Sequence, residues 1–415
     1  MNKEYELLEK LYFVRTGGSE EELKAAHIIQ DELKELGLES AIEPFDVTAS
    51  NITKSYLEVV EPYQKKYEVT AYQNSINVED LKGELYYFEF DNPVSRKEVK
   101  GKIALINGYM NMRSTKALVE AGAIGFISYS GDIDRAYNDL DIREYRDMLK
   151  PFGELPGVHM KVEDAMELVE KQAKSLVMST QLTVETVHSH NVICDLKGES
   201  DDVIVCSAHY DSVPFSKGAY DNATGSVCLY KIAEQLKDQP LKHTVRLVWC
   251  GSEERGLLGS KAYCEQHKDE LENIKLCVNI DMIGSIMGKR IARCTSDLSL
   301  VNYVDYYGKM NGYPIEVTQG VYSSDSTPFA DNGVPALSFA RITHQGTGSI
   351  HSCLDLIEHM SERILHEDCM FIKGFVETMA NSFVIPVPRE MPDNMKEELD
   401  KYLGRDLLKD KKDKE

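Results

Sequence analysis

Asp202-Val-Ile-Val-Cys-Ser-Ala-His-Tyr-Asp211 is the stretch that most clearly indicates the architecture of this chain. It opens with a short apolar run, which is typical of a strand buried on both faces of a sheet. His209 and Asp211 follow that run directly. In α/β sheets, ligands bind just beyond the carboxyl ends of the strands. The stretch therefore predicts a buried strand that ends at a functional site.

Three more apolar runs in the second half of the chain are followed by acidic or imidazole side chains. An amphipathic helix is also predicted over residues 224–236, after the first strand. Strands that alternate with helices imply an α/β fold with a mixed, mostly parallel sheet sandwiched by helices. The three runs are residues 244–249 before Glu253 and Glu254, residues 276–280 before Asp281, and residues 335–339 before the loop that carries His351.

The length of 415 residues favours two domains, because a single core rarely grows that large. Residues 52–182 differ from the rest, since tyrosines are frequent there and cysteines are missing. A strand at 102–107, a helix at 114–121 and a strand at 124–129 predict a smaller α/β unit in this region. We therefore expect one domain from residues 1–51 and 183–395, an inserted domain at 52–182, and a charged C-terminal tail at 396–415.

The start of the chain is helical in pattern from about residue 4 to residue 38, with a break at Arg15-Thr-Gly-Gly-Ser19. Ser19 is the predicted N-cap of the second helix. Glu22 lies three residues further on and is the expected capping-box partner of Ser19.

Composition excludes several classes of partner. The net charge of -22 disfavours nucleic acid and anionic membranes, because phosphate groups would be repelled. Neither a signal-peptide pattern at the start nor an apolar run long enough for a transmembrane helix is found. The nine cysteines lie between Cys194 and Cys369 and form no CxxC pair, so no zinc knuckle or redox motif is supported. We expect a reducing, cytoplasmic location.

The polar residues after the strands are of the types that a pair of zinc ions needs. Taken alone, His209 is better explained as a histidine satisfied within a loop, and Asp221 as a helix cap. In the functional interpretation His209 binds zinc, and the Asp211 carboxylate fixes the tautomer of the His209 imidazole and raises its basicity. Asp221 would then bridge two ions, with one carboxylate oxygen on each.

Glu253 and Glu254 would ordinarily form a solvated acidic pair. Their side chains diverge because they are adjacent, so we assign them different roles: Glu254 to metal and Glu253 to general base. Asp281 ends an apolar strand, where a buried carboxylate needs a partner such as a cation. His351 is weak evidence by itself, and His344 in the same loop competes with it.

Together these motifs resemble the co-catalytic two-zinc aminopeptidase family of bacteria, which is related to glutamate carboxypeptidase and the transferrin receptor. Residues 92–106 and 117–126 of the insert are similar to a protease-associated domain, a weaker signal than the zinc motif. The segments that carry the main resemblance are His209–Ser212, Tyr220–Gly225, Gly251–Ser260, Asn279–Gly284 and Ile350–Ser352.

The resemblance implies a peptide substrate and two zinc ions, for which cobalt or manganese are possible replacements. The expected activity is that of a two-zinc aminopeptidase. A carboxypeptidase, a single-zinc glutaminyl cyclase on the same fold and a non-catalytic binding module are the alternatives. The implied roles are one zinc on His209 and Asp281, a second on Glu254 and His351, a bridge from Asp221, a general base in Glu253 and a supporting carboxylate in Asp211.

The chain departs from the family pattern in one late loop. Relatives often carry Ser-Asp-His before Pro-Phe, whereas this chain has Ser324-Asp-Ser-Thr-Pro-Phe329. Ser326 therefore stands where the histidine is usual, and a contact that faces the substrate is expected to differ. No oxyanion-stabilising side chain is assigned, and the candidates for substrate binding are Tyr322, Asp325 and His344.

Overall fold

The computed structural model describes residues 2–90, 92–135 and 138–412. The chain folds into two compact units. Unit 1 contains the chain up to residue 47 and residues 187–403, and unit 2 contains residues 48–186 and the chain from residue 404 onward. Each of the two boundaries near the predicted insert falls inside a long strand, so a change in composition could not mark the residue at which one unit ends.

Strands make up the frame of both units. In chain order they are β1 Ala41–Glu61, β2 Lys65–Tyr67, β3 Thr70–Ala71, β4 Val78–Tyr87, β5 Ile103–Asn107, β6 Gly125–Ser130, β7 Gly157–Lys161, β8 Ser175–Leu196, β9 Ser200–His209, β10 His243–Cys250, β11 Ile274–Ile280, β12 Lys289–Thr295, β13 Glu316–Gln319 and β14 Ala336–Ile342.

α-Helices cover these strands. Among the described residues, no helix is long and apolar enough to cross a membrane. In chain order they are α1 Lys3–Lys10, α2 Glu20–Glu35, α3 Pro93–Glu98, α4 Met112–Ala121, α5 Val162–Glu170, α6 Thr224–Leu236, α7 Leu258–Gln266, α8 Leu298–Met310, α9 Ser326–Asp331, α10 Glu362–Ala380, α11 Asp393–Tyr402 and α12 Arg405–Lys412.

The sheet of unit 1 has the strand order β13-β12-β14-β11-β9-β10-β8. Its four central strands, β14, β11, β9 and β10, are parallel to one another. β8 is antiparallel to β10, and β12 is antiparallel to β14. The carboxyl ends of the four parallel strands therefore meet at one edge of the sheet, which is where α/β proteins place ligands. The mixed, mostly parallel sheet is as the sequence predicted.

Side chains of β9 alternate between two apolar cores, one on each face of this sheet. Ile204 and Cys206 belong to the core covered by α1, α2, α6 and α10. Val205 belongs to the core covered by α7, α9 and α11. Because both faces are buried, the strand is a continuous apolar run in the sequence and shows no polar alternation.

The two ends of unit 1 differ from the prediction in detail. Ser19 caps α2 by accepting the backbone N–H of Glu22 at 3.1 Å. The carboxylate of Glu22 accepts from the N–H of Gly18 and not from that of Ser19, so the predicted capping box is incomplete. Met395 and Leu399 of α11 are buried, so the region predicted as a tail from residue 396 begins as a packed helix. Residues 413–415 lie outside the described residues.

The strands of unit 2 follow the order β8-β4-β5-β6-β7-β3, to which β8 contributes its residues 175–186. β4, β5, β6 and β7 run parallel, as a β-α-β arrangement requires. α4 ends at Gly122, which adopts the left-handed conformation at φ 78° that glycine accepts without strain. One core contains Ile103 and Leu105 of β5, and the other contains Ala104 and Ile106. The resemblance of this unit to a protease-associated domain stays a prediction.

A charged histidine stabilises unit 1 beside the N-terminal part of β1. His267 Nε2 lies 2.8 Å from Glu43 Oε2, and the His267 ring stacks on Tyr263. The hydrogen bond that His267 donates to Glu43 raises the pKa of His267, although burial opposes it. Because the folded pKa exceeds the ordinary value of about 6.5, this stabilisation is complete below about pH 6.5 and is lost as the pH rises through the folded pKa.

We therefore expect His267→Gln to lower the free energy of unfolding by about 1 kcal/mol at pH 6 and by less at pH 9. Urea unfolding of both proteins at the two pH values measures this difference. His188→Gln is the matched control, because His188 also lies near an aspartate but is mostly exposed. A His267→Gln effect that is equal at both pH values would contradict the prediction.

Candidate metal centre

The parallel strands of unit 1 carry the predicted metal ligands to one edge of the sheet. His209 is the last residue of β9, and Asp281 directly follows β11. Glu254 lies four residues beyond the end of β10 at Cys250. Since these three strands are neighbours and run in the same direction, their ends approach one another. The side chains form two groups that share the Asp221 carboxylate.

The first group consists of His209, Asp221 and Asp281. His209 Nε2 lies 3.1 Å from Asp221 Oδ1 and 3.6 Å from Asp281 Oδ1. All three side chains are at most 7% exposed. Two carboxylates therefore face one imidazole nitrogen in a buried position.

The second group consists of Glu254, His351 and the other oxygen of Asp221. His351 Nε2 lies 3.2 Å from Asp221 Oδ2 and 3.1 Å from Glu254 Oε2. The His351 side chain is 34% exposed, so this group is nearer to solvent than the first. Asp221 thus directs one oxygen to each group, which is the arrangement of a carboxylate that bridges two ions.

The donor atoms suit zinc in type and in spacing. A tetrahedral zinc ion with bonds of about 2 Å holds its ligand atoms about 3.3 Å apart. The nitrogen–oxygen distances of 3.1, 3.6, 3.2 and 3.1 Å surround that value. Asp281 Oδ1 is buried and has no hydrogen-bond partner among the described residues. A buried carboxylate oxygen is costly unless a donor or a cation faces it, so the residues fit a bound metal.

The backbone before α6 turns Asp221 toward the ligands. The Asp221–Asn222 peptide bond is cis, and Asp221 has non-helical dihedral angles. Asn222 fixes this turn, because its Oδ1 accepts the N–H of Gly225 at 2.9 Å and that of Met282 at 3.0 Å. Asp221 is not the N-cap of α6, so the helix-cap alternative does not describe its side chain.

Asp211 contacts His209 and also the loop that carries the two glutamates. Its Oδ1 lies 3.4 Å from His209 Nδ1, on the side of the ring away from the other ligands. The same carboxylate accepts the backbone N–H of Glu253 at 3.0 Å and that of Glu254 at 3.2 Å. One buried side chain therefore lies beside the imidazole and holds the acidic loop through two hydrogen bonds.

Glu253 is 8% exposed and lies beside the two groups. Burial raises the pKa of its carboxyl well above the usual range, His209 opposes this, and Glu254 adds to it. Burial alone would lower the pKa of His209, but the charge of Glu253 and contacts with Asp211 and other aspartates raise it. A buried carboxyl this close to the ligand groups is a candidate for proton transfer.

The candidates for substrate binding lie in different surroundings. The hydroxyl of Tyr322 is buried without a hydrogen-bond partner among the described residues. Burial raises its pKa well above 10, and the nearby Asp281 charge adds to the shift. Asp325 is fully buried and accepts a hydrogen bond from the Ser260 hydroxyl at 2.5 Å. Burial raises the pKa of Asp325 to about 7.

His344 and Ser326 lie in different surroundings. The His344 side chain is exposed, and within the described residues its ring has no hydrogen bond or ion pair with the ligand groups. Ser326 is buried at the start of α9, where its hydroxyl lies 2.8 Å from that of Ser338 on β14. The Ser326 hydroxyl faces the neighbouring strand, and a changed substrate contact at this position stays a prediction.

The pattern of peptidase family M28 matches residues 191–371, the span that contains all five candidate ligands. This part of the chain belongs to that family. The relationship predicted from the sequence is thereby confirmed. Aminopeptidase YwaD from Bacillus subtilis is 32% identical over 226 residues, which are 51% of this chain and 49% of that protein. Aminopeptidase Y from Saccharomyces cerevisiae is 29% identical over 50% of this chain and 42% of that protein.

The chain therefore spans about half the length of the curated relatives it matches. Solved structures resemble more of it. An aminopeptidase from Aneurinibacillus sp. strain AM-1 has a TM-score of 0.73 at 23% identity, over 93% of this chain and 95% of that one. A zinc aminopeptidase from Bacillus subtilis has a TM-score of 0.73 at 24% identity, over 94% and 98%. At these identities the likeness confirms the fold.

Arg15 lies outside the matched M28 residues, and the sequence analysis did not identify it as part of the site. It is fully buried, and its backbone N–H donates to the Ser212 hydroxyl at 3.1 Å. The Arg15 guanidinium donates hydrogen bonds to the carbonyl oxygens of Tyr210, Lys217 and Gly218. These bonds stabilise the backbone between Asp211 and Asp221.

Asp355 is a second residue of the candidate site that the sequence analysis did not identify. It is 1% exposed. Its two oxygens accept the backbone N–H groups of Tyr220 at 2.8 Å and Asp221 at 3.0 Å. It therefore holds the backbone of the shared ligand, although it lies 134 residues away in the chain. In the sequence, only its position four residues after His351 indicated a role in the site. An aspartate at that spacing is common, so it could not be identified in this way.

Proposed function

We propose that this protein is a two-zinc aminopeptidase that removes N-terminal residues from peptides. The single observation that carries the proposal is the sharing of Asp221, whose two oxygens face the His209 group and the His351 group. Further support comes from the M28 match and from relatives that are named aminopeptidases. We also propose a reducing, cytoplasmic location, because the nine cysteines have free thiols and eight of them are buried.

The proposed ligands are His209 and Asp281 for one ion, Glu254 and His351 for the other, and Asp221 for both. Zinc in such a site supplies Lewis acidity, which lowers the pKa of water and polarises a carbonyl group. The protein would contribute the proton transfers. Glu253 would take a proton from the attacking water and give it to the leaving amine, a role that suits a buried carboxylate beside the two ligand groups.

Asp211 would keep the reacting groups in place. Asp211 Oδ1 lies 3.4 Å from His209 Nδ1, where it would favour the tautomer that leaves Nε2 free to bind metal. Its hydrogen bonds to the N–H groups of Glu253 and Glu254 fix the backbone from which the base and a ligand project. Tyr322 is the proposed contact for a substrate oxygen, because its hydroxyl is buried and lacks a partner among the described residues.

A digest of a peptide library by the purified full-length protein tests this proposal. Each sequence should be supplied with a free N-terminus, with an acetylated N-terminus and with an amidated C-terminus. We expect stepwise release from free N-termini, no release from acetylated peptides and no effect of amidation. A chelator should abolish release, and added zinc should restore it. Mass spectrometry of the products gives the reaction direction and the preferred residue together.

Other products would identify the alternatives. Release from the C-terminus would indicate a carboxypeptidase. Cyclisation of N-terminal glutamine by protein with one zinc ion per chain would indicate a glutaminyl cyclase. Protein that binds no zinc and has no turnover with zinc present would indicate a binding module.

A further inference from the structure

We infer that Glu22 on α2 is a positioning residue for the base Glu253, acting through the backbone of Ser252. This inference rests on the proposed function, because it concerns the residue that moves the proton. Glu22 is 0% exposed although it is a carboxylate. Its Oε1 accepts the backbone N–H of Ser252 at 2.8 Å, across 230 residues of sequence. The residue that follows Ser252 is the proposed base.

Ser252 has a conformation that needs external support. Its φ is +51°, in the left-handed region that residues with a side chain rarely adopt. Glu22 Oε1 also accepts the Ser189 hydroxyl at 2.8 Å, and the two serine hydroxyls lie 2.9 Å apart. The hydrogen bonds around Ser252 therefore offset the cost of its backbone.

The loop before α2 packs closely against Ser252. A Cβ atom on Gly17 would lie 2.3 Å from Ser252 Oγ, so only glycine allows this approach. Glu22 Oε2 accepts the N–H of Gly18 at 2.7 Å, which ties that loop to the carboxylate. A Cβ on Gly251 would lie 2.7 Å from Glu22 Oε1, so the residue after β10 also packs closely against this carboxyl group.

Two buried carboxylates together hold three consecutive N–H groups at the end of β10. Glu22 accepts from Ser252, and Asp211 accepts from Glu253 and Glu254. The direction in which Glu253 leaves the backbone depends on all three bonds. Loss of the first bond would let Ser252 relax and would displace the Glu253 carboxylate, and small displacements of a catalytic group cost large factors in rate.

Three substitutions at one position separate the possible roles of Glu22. Glu22→Ala removes the acceptor. Glu22→Gln keeps an oxygen for Ser252 and Ser189 but loses the bond to Gly18. Glu22→Asp keeps the carboxyl group but shortens the side chain by one methylene. Glu21→Ala is the control, because Glu21 is an exposed neighbour on the same helix turn.

We expect Glu22→Ala to lower kcat roughly 10- to 100-fold per zinc-loaded molecule, with KM changed by less than about threefold. The loss of kcat should be smaller in Glu22→Gln than in Glu22→Asp, because the length of the side chain decides whether it can accept the Ser252 N–H. Hydrogen exchange should become about tenfold faster in residues 251–257 of Glu22→Ala and stay unchanged elsewhere in unit 1. Glu21→Ala should match the unsubstituted protein in each measurement.

Three results would overturn the inference. The first is an unchanged kcat per zinc-loaded molecule in Glu22→Ala, together with lower thermal stability, which would indicate a structural role alone. The second is a larger loss of kcat in Glu22→Gln than in Glu22→Asp, which would indicate that the carboxyl group itself is required at this position. The third is unchanged exchange at residues 251–257. The Gln and Asp variants keep the test decisive if the Ala variant does not fold.

Failure of the proposed function is distinguishable from failure of this inference. Unsubstituted protein that holds zinc but hydrolyses no peptide would refute the proposed function. The hydrogen-exchange comparison would still report whether Glu22 holds residues 251–257. Normal turnover with unchanged exchange in Glu22→Ala would refute only the role of Glu22.

Discussion

Glu253→Gln is expected to lower kcat about 10³-fold while zinc content stays at the level of the unsubstituted protein. Glutamine has nearly the same shape as glutamate but cannot accept a proton at neutral pH. Asp211 binds the backbone N–H of Glu253 and not its side chain, so the loop should keep its conformation. Turnover of a free peptide and metal analysis of the same sample measure the two quantities.

Glu265→Gln is the matched control for this substitution. Glu265 is an exposed residue of α7, so its replacement should change neither rate nor zinc content. Full activity in Glu253→Gln would contradict the role of general base. Loss of zinc in that variant would instead make Glu253 a ligand.

Asp221→Ala should remove zinc from both positions. Asp221 is the one ligand that the two groups share, so its loss leaves His209 and Asp281 in one group and Glu254 and His351 in the other. Two protein ligands are too few for a firm zinc site, which commonly has three or four. We expect the zinc content to fall from two ions per chain to below one, and kcat to fall by at least about 10³-fold.

His351→Ala gives the comparison that makes this result specific. His351 belongs to only one group, so its loss should remove one ion and leave the other. Asp201→Ala is the neutral control, because Asp201 is exposed near the start of β9. Equal zinc contents in Asp221→Ala and His351→Ala would contradict a bridging role. Titration with zinc in the presence of a competing chelator measures the affinity of each site.

The strands and helices that surround the site could be predicted because local patterns define them. The helix predicted at residues 224–236 is α6 Thr224–Leu236, since its apolar residues recur at helical spacing. The predicted strand at 276–280 is the main part of β11. β12 was not predicted, because Lys289, Arg290 and Arg293 interrupt its apolar residues near the edge of the sheet.

The residues that hold the site in place could not be predicted, because their partners are distant in the chain. Arg15 bonds to Lys217 over 202 residues, and Glu22 bonds to Ser252 over 230. In the sequence, Arg15 lies in a helix break and Glu22 has the spacing of a capping residue. Both interpretations are local and consistent with helix rules. Only the packing of α2 against the sheet brings these side chains under the loops that carry the ligands.

The order of these contacts along the chain has a consequence for biosynthesis. Arg15 and Glu22 leave the ribosome before His351 and Asp355, which follow only after most of unit 1 has been made. Contacts between segments this far apart in sequence form late in folding, because a long loop must close first. A nascent chain therefore lacks the complete set of candidate cation ligands until the segment that carries His351 has been made.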